Sequence, residues 1–170
     1  MDGNSDDLVE KLRSGLISMA VITSPCDHLL LNSFPVGNEP MVAFMNQDHP
    51  LSRAEGDNLS IEQLVGEPLI VPSRKAVIED IYRWFRSVKS EPNIICEMDN
   101  YLDAAALAGR GMGISIFPQT SYISNTSLVS KQIDGGSRRL EYLFVWQKGR
   151  PLPSLEEHFI DFVRECTEAT

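Results

Sequence analysis

Leu107-Ala-Gly-Arg-Gly-Met-Gly-Ile-Ser-Ile-Phe-Pro118 is the stretch that decides the fold of this chain. Its small residues close a helix, its glycines turn, and Ile114, Ile116 and Phe117 enter a short buried strand that stops at Pro118. Gly109, Gly111 and Gly113 fall at alternate positions, so the backbone there can turn tightly and lie close against another segment. An α/β domain places a helix end and a strand beside a cleft in this way. The pattern predicts a small-molecule binder and leaves open whether it is an enzyme or a receptor.

Working outward, Asp99 or Asn100 caps a helix from about Tyr101 to Ala108, and Ile94-Ile-Cys96 before it reads as a strand. Val77 to Val88 is an amphipathic helix with Ile78, Ile81, Trp84, Phe85 and Val88 on one side. Leu69-Ile-Val71 is a buried strand, and Pro72 and Ser73 begin the next turn. Ser60 caps a short helix through Leu64, stopped by Gly66, after a polar loop around His49-Pro50-Leu51. Nearer the N-terminus, Ser5 precedes Leu8, Val9 and Leu12 at helical spacing, with Gly15 as the stop. Ile17 to Thr23 is a strand broken by Pro25, Leu29 to Phe34 a second ended by Pro35 and Gly37, and Met41 to Met45 a third. On the C-terminal side, Leu128 to Ile133 and Leu140 to Trp146 are strands separated by Gly135-Gly136. Ser154 caps a last helix whose apolar face is Leu155, Phe159, Phe162 and Val163. Strands alternate with helices, which predicts an α/β protein with mostly parallel sheets.

Composition narrows the function. A length of 170 residues with 42% apolar content allows one compact domain or two small lobes. The net charge of -9, with no basic run, argues against this segment gripping nucleic acid itself. No run of 18 apolar residues occurs, so no membrane span is expected, and the acidic start Met1 to Asp7 is the opposite of a secretion signal. Cys26, Cys96 and Cys166 lie far apart and read as reduced, buried thiols of a cytoplasmic protein. No CxxC or HxxxH pair exists, so no metal is expected. His28, His49 and His158 sit near acidic residues only by composition, and no G-x-S-x-G or P-loop is present. Gly109 to Gly113 follows a helix and precedes a strand, the reverse of a dinucleotide fingerprint. No catalytic residues and no cofactor are expected.

Five stretches, in order, resemble the effector-binding domain of LysR-type transcriptional regulators. They are Leu8 to Val21, Glu39 to Phe44 followed by His49 to Ser52, Leu59 to Leu64 followed by Glu67 to Ile70, Leu107 to Pro118, and Leu155 to Phe162. The family usually has an aspartate where Ser18 stands, a small departure. The resemblance implies two Rossmann-like α/β lobes joined by two crossing strands, a type 2 periplasmic-binding-protein-like fold. The first lobe would be residues 1–39 and 144–170 and the second 40–143, with the effector between them. It also implies that the first lobe is truncated at its N-terminus, lacking a central strand, and that a DNA-binding winged helix-turn-helix precedes the domain in the full-length regulator. The neighbouring strand would then carry an open edge that invites pairing.

The candidate site residues follow. Ser5 falls where the family has a hydroxyl in its site, and it also reads as an ordinary helix cap. Thr23 matches a family pocket position or simply ends a strand. Pro72, Ser73 and Arg74 offer a hydroxyl, free N–H groups and a guanidinium suited to a carboxylate, or else form a solvated helix start. The alignment is loose here and admits any of Ser73 to Val77. Asn100 and Tyr101 start another helix on the cleft side, where Tyr101 either meets a ligand or packs into the core. Phe117 and Pro118 pack the lobe. The helix bearing Trp84 and Phe85 corresponds to one that forms an antiparallel dimer interface in the family, or is an ordinary core face. The expected function is effector sensing by a cytoplasmic transcription regulator, a homodimer or tetramer that meets DNA only through the missing domain. The alternative is a solute-binding protein of a transport system with the same fold.

Overall fold

The computed structural model describes residues 5–119 and 127–168. In chain order its elements are α1 (Ser5–Arg13), β1 (Met19–Thr23), β2 (Leu31–Asn46), β3 (Asn58–Leu59), β4 (Pro68–Pro72), α2 (Lys75–Ser87), β5 (Asn93–Met98), α3 (Tyr101–Gly109), β6 (Ile114–Pro118), β7 (Leu128–Ile133), β8 (Arg139–Gln147) and α4 (Ser154–Glu168). They form two compact units. One is built from the chain up to Asn38 and again from Leu140 onward, the other from Glu39–Arg139. The chain passes from the first to the second within β2 and returns at the start of β8.

In the first unit, α1 carries Asp6 and Asp7 in its first turn and Lys11 and Arg13 in its last, complementing the helix dipole. It ends because Gly15 adopts φ +73°, which lets the Leu16 N–H reach back to the Lys11 carbonyl at 2.9 Å. Leu12 packs with Ile22, Leu31, Leu143 and Val145 in one core cluster. β1 lies antiparallel to β8, from Met19 opposite Trp146 to Thr23 opposite Tyr142. Ser18 donates from Oγ to Glu156 Oε1 at 2.8 Å, tying the entry of β1 to α4. Phe34, Phe144, Trp146 and Phe159 group with ring centroids 5.3 to 6.3 Å apart.

Three expectations are corrected here. Leu29 to Phe34 and Met41 to Met45 are not separate strands: β2 runs unbroken through Pro35, Gly37 and Pro40. Proline's fixed φ is compatible with extended backbone, and β2 ends the order β1-β8-β2 in this unit, where a missing N–H is tolerated. The apolar stripe of α4 is only partly covered. Leu155 and Phe162 are exposed, Phe159 is about half exposed with its ring against Phe144, Val163 is half-buried, and the buried residue of the helix is Ile160. None of the three cysteines forms a disulfide, but Cys26 and Cys96 are only half-buried and Cys166 is exposed.

The second unit is a sheet in the order β3-β7-β2-β6-β4-β5. Met41 to Met45 of β2 are all buried, as expected of a strand covered on both faces. Val42, Phe44, Ile70, Ala104 and Phe117 form its core cluster. Pairing is parallel for β4–β5, β4–β6 and β3–β7, but antiparallel where β2 meets β6 and β7. The sheets are therefore mixed, not mostly parallel. The run β4–α2–β5–α3–β6 supplies the helical crossovers that parallel pairing requires, and β2 enters without one. Gly113 matters at this point: a Cβ there would stand 2.7 Å from the Pro68 carbonyl oxygen, so only glycine lets β6 start against β4. Trp84 and Phe85 are buried within this unit, with the Arg138 guanidinium 5.7 Å over the Trp84 ring.

Candidate functional site

In the second unit, β4 and β5 end at the same edge, and each feeds a helix there. β4 leads through Ser73 and Arg74 into α2, and β5 through Asp99 and Asn100 into α3. The chain steps from β4 to β5 on one side and then to β6 on the other, so the switch point lies between β4 and β6. Open α/β sheets bind ligands beyond the carboxyl ends of their strands at such points.

The two loops are fastened to each other. The Ser73 N–H donates to the Met98 carbonyl at 3.0 Å, and its hydroxyl donates to Asp99 Oδ1. Asn100 caps α3, its side-chain oxygen accepting the Leu102 N–H at 2.9 Å. Pro72 ends β4 opposite Met98. Tyr101 is half-buried and packs, with Cys96, Met98 and Leu107, against the core cluster. Arg74 precedes α2 as its cap residue, and its carbonyl takes the N–H groups of Val77 and Ile78 at 3.0 and 3.1 Å. The residue is only 8% exposed, so little of its side chain is in contact with solvent. The first turn of α2 directs the N–H groups of Lys75 and Ala76 outward, as every helix start does.

Ser5 and Thr23 are brought together in the first unit. Ser5 Oγ lies 3.1 Å from Thr23 Oγ1 and accepts the Thr23 N–H at 3.1 Å. The start of α1 and the end of β1 thus share one hydroxyl pair. In the second unit, Phe117 near the end of β6 is buried in the core cluster.

Two residues at these strand ends escape a reading of the sequence alone. Asp99 reads there only as a helix cap, yet it supplies the carboxylate facing Ser73. Gln119 follows β6 at the switch point, exposed, with its N–H bonded to the Pro40 carbonyl at 2.8 Å. Its place just past a strand end beside β4 is the signal that finds it, and it requires the strand order. Among the described residues, no group of three or more His, Cys, Asp or Glu stands together to hold a metal ion. No helix among them is long and apolar enough to cross a membrane.

The mixed α/β fold is the type 2 periplasmic-binding-protein-like fold of LysR substrate-binding domains. The chain belongs to the LysR substrate binding domain family, whose model matches residues 1–167. It is 28% identical over 163 residues to the Hca operon transcriptional activator HcaR of Escherichia coli K12, covering 92% of this chain and 53% of that protein. The chain thus spans about half the length of the curated relatives it matches. Among solved structures it resembles the effector binding domain of QuiR in complex with shikimate, with a TM-score of 0.87 at 16% identity, covering 98% of this chain and 79% of that one. It also resembles the Synechocystis PCC6803 CcmR regulatory domain in complex with 2-PG, with a TM-score of 0.80 at 20% identity, covering 96% and 80%.

Proposed function

We propose that this chain is the effector-sensing domain of a LysR-type transcription regulator and that it recognises a small hydroxylated carboxylate without transforming it. The observation that carries the reading is the pairing of Ser73 with Asp99 beside Arg74, at the strand ends where such sheets bind ligands. A bare anion would meet the Asp99 carboxylate unfavourably. A ligand with both a carboxylate and hydroxyls suits the edge: its carboxylate takes the N–H groups of the α2 start and the Arg74 charge, and its hydroxyls donate to Asp99. Asn100 holds α3 in place for this contact, and the Ser5–Thr23 pair offers hydroxyls in the first unit.

The chemistry is recognition only, and no cofactor takes part. The whole regulator works in the cytoplasm as a homodimer or tetramer and meets DNA through a separate helix-turn-helix domain. Regulation requires the effector to bind two states of the regulator with different affinity. The transport alternative is not favoured, because the curated relatives are transcription regulators.

A thermal-shift panel of hydroxylated carboxylates, with shikimate included, tests this. A true effector at one hundred times its dissociation constant stabilises the protein by about 2.7 kcal/mol. Ser73→Ala and Asp99→Asn should each remove most of that shift. A shift that survives both substitutions rules this edge out, and a change in the compound's NMR spectrum on incubation ends the recognition-only reading.

A further inference from the structure

The turn between β1 and β2 gathers a thiol, an imidazole and a hydroxyl away from the site described above. Cys26 Sγ lies 3.6 Å from His28 Nδ1 and 3.5 Å from Ser33 Oγ, and Ser33 Oγ lies 3.4 Å from the same ring nitrogen. Each member therefore touches the other two. The turn is held by the Leu29 N–H bonded to Asp27 Oδ1 at 2.9 Å and the Leu31 N–H bonded to the Asp27 carbonyl at 2.9 Å. Lys148 Nζ reaches the His28 carbonyl at 3.5 Å. Lys148 also lines a crevice of about 420 Å³ with Arg13, Leu29, Leu30, Gln147 and Gly149. In a chain of net charge -9, this crevice, joined to the turn through Leu29 and the Lys148 contact to the His28 carbonyl, has two cations and no acid in its lining. The charged groups near the cluster are thus Asp27, whose carboxylate is engaged with the Leu29 N–H, the cation Lys148, and Arg13 with Glu10, whose carboxylate lies 3.4 Å from the Arg13 guanidinium.

We propose that Cys26 is a modification site, a thiol served by His28 that exchanges with small disulfides bearing carboxylates. A nucleophile within hydrogen-bond reach of a base is what such attack requires, and here the Cys26 thiol and the Ser33 hydroxyl share the same His28 ring nitrogen. Sγ attacks one sulfur of the disulfide R–S–S–R while its proton passes to the His28 ring. The S–S bond breaks, and the distal sulfur leaves and takes that proton as R–SH, so Cys26 ends as Cys26–S–S–R. The disulfide is the only oxidant: the Cys26 sulfur is oxidised and the departing sulfur reduced. The carboxylates of R lie in the crevice against Arg13 and Lys148. Because Cys26 also packs against the core cluster of Leu12, Ile22 and Leu31, the adduct places its bulk where α1 meets β1.

The test incubates the full chain with oxidised glutathione at pH 7 and quantifies the adduct at each cysteine by peptide mass spectrometry. Cys166, exposed on α4, and Cys96 serve as references within the same molecules. Cys26 should react on the order of tenfold faster than either, a modest share of what general-base assistance can supply because the His28 ring is exposed. His28→Ala should erase that advantage without changing the rate at Cys166, so a folding defect cannot mimic the result. Uncharged bis(2-hydroxyethyl) disulfide should show a smaller preference for Cys26 than glutathione does. Equal rates at Cys26 and Cys166, or a ratio unmoved by His28→Ala, overturns the proposal. An equal preference for the uncharged disulfide overturns the acidic class of reagent.

Discussion

The three alternate glycines of the stretch Leu107 to Pro118 should respond to alanine in three different ways. At Gly113 a Cβ would stand 2.7 Å from the Pro68 carbonyl oxygen and 3.3 Å from Ile95 Cδ1. The exposed Ile95 side chain can swing away, but the carbonyl belongs to the first residue of β4, which is paired with Asn93 of β5. Relief therefore has to come from moving β6 off β4, which breaks the pairing of Leu69 with Ile114. Overpacking of this kind costs roughly 2–3 kcal/mol. At about 2–4 °C per kcal/mol for a chain of this size, Gly113→Ala should lower Tm by about 4–12 °C. At Gly111 a Cβ would meet nothing within 4 Å, and the penalty is only that of φ +75°, about 1 kcal/mol. At Gly109 the nearest atom is 3.6 Å away and the residue closes α3, so alanine should be neutral or stabilising by up to about 0.5 kcal/mol. Urea unfolding in a Trp146→Phe background, read by Trp84 fluorescence, follows the second unit alone. The reasoning fails if Gly113→Ala is as stable as Gly109→Ala, for then β6 and β4 do not approach as closely as this register requires.

Three further outcomes are expected. Asn100→Ala removes the cap of α3 and should cost about 1 kcal/mol by urea titration, with Asn100→Asp retaining most of the stability. Ser5→Ala deletes the acceptor of the Thr23 N–H and should cost on the order of 1 kcal/mol, with faster amide exchange at Thr23. Lys131, 4% exposed, donates from Nζ to the carbonyls of Ala54 and of Gly56, the latter at 2.7 Å. Lys131→Met should therefore cost about 2 kcal/mol and raise hydrogen exchange across residues 54–57; unchanged exchange there would show that the lysine does not anchor the loop.

Much of the architecture is legible along the chain because local chemistry punctuates it. The cap at Asn100, the left-handed turns at Gly15 and Gly111, and the apolar runs at Leu69 to Val71 and Ile114 to Phe117 each act over a few residues. Where local chemistry misleads, a distant partner decides. Pro35 reads as a strand end, yet β2 continues because it lies at the end of its row of strands. The stripe of Leu155, Phe159, Phe162 and Val163 has helical spacing, but only the arrangement of the first unit shows that Leu155 and Phe162 stay exposed while Phe159 meets Phe144 and Ile160 is buried. Arg74 reads as a free guanidinium on a helix start, and its burial depends on what packs over that start. Asp99 reads as a cap, but its role facing Ser73 depends on β4 and β5 lying side by side.

By itself the sequence determined most of the elements, their order and the family, because caps, glycine turns and hydrophobic periodicity are short-range effects written in neighbouring residues. The tertiary structure alone decided which strand ends meet: Ser73 with Asp99 from positions 26 residues apart, and Ser5 with Thr23 from positions 18 apart. Those pairings follow from strand order and register, which depend on long-range burial, and no local pattern encodes a contact made across a sheet.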